Sequence, residues 1–252
     1  MTRYANTGFI EYINMKLLNS TIAKFLFILP CFIFASHAMA NIVITGTRVI
    51  YPSDEKEISV KIANKGTGPV LIQAWMDNGD VNASPDSIHV PFVITPPMNR
   101  IDSQKGQTLR VSAIGNGNGS SDRETLYWFN VLEIPPANLK GGDVNKLQVA
   151  FRTRIKFFYR PVTLKGDSTT AAENIKWKVN NGQLIAVNDS PYYVTLLDVH
   201  SQTGNASAST NMIAPFGQAS VKEKSGNFSS GQKITYEYIN DWGAIKKVNT
   251  AI

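Results

Sequence analysis

Between Leu147 and Pro161 the chain reads Leu147-Gln-Val-Ala-Phe-Arg-Thr-Arg-Ile-Lys-Phe-Phe-Tyr-Arg-Pro161, with apolar side chains at 147, 149, 151, 155 and 157 and polar or basic ones between them. A period of two is the pattern of a β-strand with one apolar face. At about 3.3 Å per residue the alternating part spans roughly 35 Å, well beyond the usual strand of about 5 to 6 residues. Two readings fit a strand of that length. It is a long core strand paired throughout, or part of its edge lacks an internal partner and is kept for a strand added from outside.

Residues 1–40 read as a separate element. Lys16 and Lys24 precede the apolar run Phe25 to Phe34, and Ala38-Met39-Ala40 has the small-x-small pattern of a cleavage site. This predicts a secretory signal peptide cleaved after Ala40. Met15 offers a second start, with a more usual signal length. The apolar run is shorter than the roughly 20 residues of a bilayer span, which argues against an uncleaved anchor and against stable membrane insertion. Pro30 before Cys31 argues against a lipoprotein site. Cys31, the single cysteine, leaves with the leader, so a chain sent to an oxidising compartment carries no disulfide of its own. Loss of Arg3, Lys16, Lys24 and Glu11 lowers the formal net charge from +6 to +4. No run of five or more Lys/Arg remains, and no nucleic-acid partner is expected.

After the leader, short alternating stretches recur between Gly, Pro, Asn and Asp: Asn41 to Ile50, Lys56 to Ala63, Val70 to Met76, Thr108 to Ala113, Thr125 to Glu133 and the long strand itself. Six or seven strands over about 120 residues describe a β-sandwich of immunoglobulin type. Thr95-Pro96-Pro97 reads as a turn in which a cis X-Pro bond is possible. The pattern restarts at Ile175 to Val179 and continues through Gln183 to Val187, Tyr192 to Val199, Met212 to Pro215, Ala219 to Val221 and Lys233 to Asn240. The expected organisation is a first domain over 41–161, a junction at 161–168 and a smaller β-sandwich over 168–252. A short hinge between two sandwiches leaves a cleft, where ligands bind.

Enzymatic chemistry is hard to place. Two histidines, His89 and His200, survive processing, and no Gly-x-Ser-x-Gly, His-Glu-x-x-His or phosphate-cradling loop is present. Asp122, Glu124, Glu133 and Asp241 are the carboxylates open to a glycosidase pair, but Asp122-Arg123-Glu124 supplies its own counter-charge. No enzyme, cofactor or metal site is expected. Binding chemistry is easier to place. Arg48 follows a short opening strand, and Lys156 lies among apolar neighbours on the long one. They are either solvated surface cations, or a convergent pair that holds a carboxylate while the adjacent strand pairs with a peptide backbone. Trp75, Trp128, Trp177 and Trp242 fall on different strands and read as core.

Four stretches carry a specific resemblance over nearly all of 41–243: Asp122-Arg-Glu-Thr-Leu-Tyr-Trp-Phe-Asn-Val-Leu-Glu-Ile-Pro-Pro136, Ile155-Lys-Phe-Phe-Tyr-Arg-Pro161, Ser190-Pro-Tyr-Tyr-Val-Thr195 and Tyr238-Ile-Asn-Asp-Trp-Gly243. The chain resembles the periplasmic pilus-assembly chaperones of the PapD type. The resemblance implies an all-β fold of two immunoglobulin-like β-sandwiches in an L or boomerang arrangement. It implies that Arg48 and Lys156 anchor a pilus subunit's C-terminal carboxylate, and that Leu147, Val149 and Phe151 fill the groove of its incomplete fold. It further implies that Glu124, Arg160 and Asp241 form an interdomain ion network. The absence of a mature cysteine and the short span from Pro136 to Leu147 resemble the short-loop branch of the family. One departure is that the chain stops soon after Gly243, at Thr250-Ala-Ile252, where relatives often run on through a final strand and a cysteine pair, so the second domain reads as trimmed.

The expectation is therefore a periplasmic chaperone that donates a β-strand to fimbrial subunits and delivers them to an outer-membrane usher, with a self-capping dimer open to the free protein. The alternatives are a fimbrial subunit or adhesin, which would show a single incomplete sandwich, and a carbohydrate-binding sandwich, which would need clustered exposed aromatics.

Overall fold

The structure, a computed structural model, describes residues 42–115, 119–134 and 149–252. Residues 1–41, where a leader and its cleavage site are expected, and Leu147 lie outside the described residues.

The first domain holds β1 (Ile42–Ile44), β2 (Arg48–Pro52), β3 (Glu57–Asn64), β4 (Val70–Asp77), β5 (Phe92–Thr95), β6 (Met98–Ile101), β7 (Gly106–Ala113), β8 (Thr125–Ile134) and β9 (Phe151–Arg160). They form two facing sheets, ordered β1-β3-β7-β5 and β2-β9-β8-β4-β6. Alternation explains the core. Val60 and Ile62 of β3, Leu109 and Val111 of β7, Ile72 and Ala74 of β4, Phe129 and Val131 of β8 and Phe157 of β9 all point inward and are buried. At one end Tyr51, Phe92 and Phe157 pack with ring centroids 5.0 to 5.8 Å apart.

The opening stretch, expected as one strand from Asn41 to Ile50, is two. Gly46 adopts φ 95°, a region that side chains with a Cβ rarely enter, and the chain changes sheet there. β1 runs antiparallel to β3, whereas β2 runs parallel to β9. This crossing carries Arg48 onto the sheet of the long strand. A second crossing occurs at Pro96-Pro97, where the Thr95–Pro96 bond is cis. β5 pairs with β7 in one sheet and β6 with β4 in the other. Neither four-residue strand is long enough to show a period in sequence.

The second domain opens with one short helix, α1 (Ser168–Glu173), whose N-cap Asp167 accepts from the Thr170 N–H at 2.8 Å. Its strands are β10 (Lys176–Asn180), β11 (Gln183–Val187), β12 (Val194–Ser201), β13 (Ser207–Ser209), β14 (Met212–Ile213), β15 (Gln218–Ser220), β16 (Lys222–Ser225), β17 (Lys233–Ile239) and β18 (Ile245–Ala251). One sheet is β10-β11-β15; the other is β16-β13-β12-β17-β18, with β14 beside β12. Trp177, Leu184, Leu196, Ile213 and Tyr236 fill a core separate from the first. The buried Tyr236 hydroxyl donates to the carbonyls of Ala172 and Glu173 at 2.8 and 2.9 Å, which ties α1 to it.

β18 corrects the expectation of a trimmed second domain. It pairs with β17 over seven residues, from Lys233↔Ala251 to Ile239↔Ile245, after a turn closed by Asn240 and Gly243. Its lysines obscured it. Lys246 and Lys247 lie on a sheet edge, where charge guards against unwanted pairing.

Candidate functional site

β9 is paired unequally on its two sides. On one side β8 follows it throughout, from Thr125↔Tyr159 to Glu133↔Phe151. On the other, β2 covers it from Arg48↔Lys156 to Pro52↔Arg160. Phe151 to Ile155 therefore have no strand on that side among the described residues. The reason is the sheet crossing, since β2 joins this sheet only at Arg48. The inner face of β9 shows the consequence. Phe157 is fully buried, whereas Phe151 is 64% exposed and Val149, just before the strand, is 49% exposed.

Where β2 begins, two cations stand together. Arg48 Nη1 donates to the Ile239 carbonyl at 3.1 Å, and its buried Nε finds no partner among the described residues. Lys156 Nζ donates to Thr195 Oγ1 at 3.1 Å. Burial, with the neighbouring Arg48 charge, lowers the Lys156 pKa to about 8. Burial also lowers that of Arg48, while Asp241 and Glu124 pull it back up. Among the described residues no carboxylate forms an ion pair with either cation. Their hydrogen-bond partners come from the second domain, so the pair lies between the two.

The same seam holds Glu124, Arg160 and Asp241. Arg160 Nε donates to Glu124 at 2.6 Å, and its two terminal nitrogens fork onto Asp241 at 2.7 and 3.1 Å. The Tyr193 N–H donates to the other Glu124 oxygen at 2.7 Å, and Ser168 adds a hydroxyl to Asp241 at 2.8 Å. Burial pushes the Glu124 carboxyl up, against the pull of Arg160 and the Tyr193 amide. Burial acts likewise on Asp241, but the Arg160 hydrogen bonds and charge outweigh it and hold that carboxyl low. The expected self-neutralising triplet is divided: Arg123 pairs with Asp122 at 2.8 Å and stacks over Phe216 of the second domain, while Glu124 turns inward to Arg160. Gly243 closes the seam on Thr47, since a Cβ there would meet Thr47 Oγ1 at 2.5 Å.

The tryptophans correct another expectation. Trp177 is core, but Trp75 and Trp128 are half-buried on the outer face of the first domain's five-stranded sheet, and Trp242, in the β17–β18 turn, is 81% exposed. Alternation gives the spacing of side chains and leaves open which face is covered. His89 and His200 are exposed. Among the described residues no group of His, Cys, Asp and Glu is placed to hold a metal ion, and no helix is long and apolar enough to cross a membrane. A groove of about 260 Å³ lies beside α1, lined by Lys165, Asp167, Thr170, Asn174 and Tyr192, away from Arg48 and Lys156.

The described residues form two tandem β-sandwiches, with an open strand edge on the first and two cations without a carboxylate partner in the seam between them. Residues 41–165 match the N-terminal domain of the PapD pili and flagellar-assembly chaperones and residues 170–250 the C-terminal domain of the PapD pili assembly chaperones, so the chain belongs to this chaperone family. It is 42% identical over 226 residues to the chaperone protein MrkB of Klebsiella pneumoniae, a match covering 88% of this chain and 96% of MrkB. It is 41% identical over 231 residues to the probable fimbrial chaperone YadV of Escherichia coli (strain K12), covering 88% and 94%. The crystal structure of YadV aligns with a TM-score of 0.72 at 38% identity, over 84% of this chain and 100% of that one. That of the periplasmic chaperone SfaE aligns at 0.67 and 32% identity, over 84% and 100%. The family's role is chaperoning rather than catalysis.

Proposed function

We propose that this protein, cleaved after Ala40 and working in the periplasm as domains 41–161 and 168–252, binds fimbrial subunits by lending them β9 and anchoring their C-terminal carboxylate on Arg48 and Lys156. The observation that carries this reading is that the open edge of β9 runs out at those two cations. A strand added along Phe151 to Ile155 completes the unpaired backbone ladder, and its terminal carboxylate meets a buried guanidinium Nε and an ammonium without an acid. Leu147, Val149 and Phe151 then enter the subunit's groove. Burying each contributes about 1.5 to 3 kcal/mol before ordering costs. Glu124, Arg160 and Asp241 set the angle between the domains and leave the client untouched. Delivery to an outer-membrane usher completes the role, and in the free protein a second copy shields the same apolar edge. No step needs catalysis or a cofactor. MrkB and YadV, both chaperones by name and both near 40% identical, support the reading.

The test is periplasmic co-expression with fimbrial subunits encoded beside this chain, comparing capture by wild type with Arg48→Ala and Lys156→Ala proteins of unchanged thermal stability. Capture lost in both variants is the expected result. Full capture by both would remove the anchor and bring the adhesin and sugar-binding readings forward.

A further inference from the structure

Asp77, the last residue of β4, is fully buried although it lies on the outer face of its sheet, away from the core. What covers it comes from β9, two strands away. Arg154 forks onto its carboxylate through Nη2 at 2.5 Å and Nε at 3.0 Å, and Arg152 adds Nη2 at 3.4 Å. Between them on β8, Asn130 donates Nδ2 to Asp77 at 2.8 Å and accepts from Arg152 Nε at 3.0 Å. The Gly79 N–H donates to Asp77 at 2.7 Å, and Arg152 Nη1 donates to the Val81 carbonyl at 2.7 Å. Arg154 stacks over Trp128 at 4.0 Å and Arg152 over Trp75 at 4.9 Å. One carboxylate thus gathers two guanidiniums, an amide side chain and the turn after β4 into a brace across three strands.

The brace lies where β9 is least secured. Arg152 and Arg154 alternate with Phe151, Thr153 and Ile155, the segment whose edge is open opposite β8. A strand held from one side has half the ladder of an inner strand, and such segments open locally at low cost. Here the outward side chains are fastened while, on the inner face, Phe151 and Thr153 stay exposed and Ile155 is half-buried against the core. We propose that Asp77 is a positioning residue, which through Arg152 and Arg154 keeps Phe151 to Ile155 extended and presents their inner side chains at fixed two-residue spacing to an arriving subunit strand. This rests on reading that edge as the donor. Its physical basis is preorganisation: a strand already extended does not have to be ordered during binding.

The test pairs two measurements on the full mature chain, with Asp77→Asn, Arg154→Lys and, as a control on the donor reading, Phe151→Ser. Arg154→Lys keeps the charge and loses the fork, and it serves alone should Asp77→Asn fail to fold. The first measurement is amide hydrogen exchange of the free protein. Residues 151–155 are expected to exchange at least tenfold faster in the brace variants, with β12 and β17 unchanged. The second is association kinetics with a purified fimbrial subunit, where the brace variants are expected to bind at least tenfold more slowly. Unchanged exchange at 151–155 in a folded brace variant would overturn the proposal. So would faster exchange with undiminished association when Phe151→Ser abolishes binding. Should Phe151→Ser bind as wild type does, the donor reading itself falls and the positioning role with it.

Discussion

Arg48 and Lys156 stand opposite each other in the parallel register of β2 and β9, two cations side by side with an unpartnered guanidinium Nε and no carboxylate paired to either among the described residues. Like charges so placed in a half-buried seam are unfavourable until an anion joins them. The pairing exists because the chain crosses sheets at Gly46 and sets Arg48 beside the long strand.

The first prediction concerns pH. With its pKa lowered from 10.5 to about 8 by burial and by Arg48, the Lys156 ammonium disfavours the free fold. Stability contributed by this group is therefore lowest below about pH 8 and rises as pH climbs from there towards 10.5. Client binding runs the other way, because a captured carboxylate favours the charged form. Affinity is expected to weaken as pH rises through about 8, by at most about tenfold per pH unit, with proton uptake on binding. Titration calorimetry in buffers of different ionisation enthalpy measures both. In Lys156→Arg the profile should be flat, and a flat wild-type profile would exclude Lys156 as the anchor.

Phe151 and Phe157 share one face of β9 and one sequence pattern, yet opposite effects are expected of them. Phe157→Ala removes a ring packed on Tyr51 and Phe92 and should cost about 3 to 5 kcal/mol of stability. Phe151→Ala, at an exposed site, should leave stability within about 0.5 kcal/mol while weakening subunit binding by at least tenfold. Urea unfolding and a binding titration on each variant separate the two. Equal destabilisation would mean that Phe151 belongs to the core.

Arg160→Ala should destabilise the protein by about 3 kcal/mol, because Glu124 is left buried with an amide but without its ion-pair partner. Asp241→Asn keeps the shape and one acceptor and should cost less. Urea unfolding ranks them. A loss under about 1 kcal/mol in Arg160→Ala would place these charges in effectively aqueous surroundings.

Deleting residues 245–252 bares the edge of β17 and withdraws Val248 and Ile252 from the second core. Those side chains alone are worth about 2 kcal/mol. The second domain is then expected to melt ahead of the first, as a separate calorimetric transition. A single transition at the wild-type temperature would show that β18 adds nothing to that core.

By itself the sequence determined the β class, the two-part organisation and the long alternating strand, because a period of two between turn residues needs no knowledge of distant contacts. Through its resemblance to a known family it also pointed to Arg48, Lys156, Glu124, Arg160 and Asp241, whose side chains lie along one seam in the structure. Tertiary structure alone decided which side of each pattern is covered. Val149 and Phe151 continue the period of Phe157, yet only Phe157 has β2 and the opposite sheet over it, and that depends on where the chain crosses at Gly46. Trp242 and β18 were misjudged for the same reason: exposure and edge pairing are properties of what lies alongside. The brace at Asp77 went unseen because its members, at 77, 130, 152 and 154, share no local pattern and meet only when β4, β8 and β9 lie side by side.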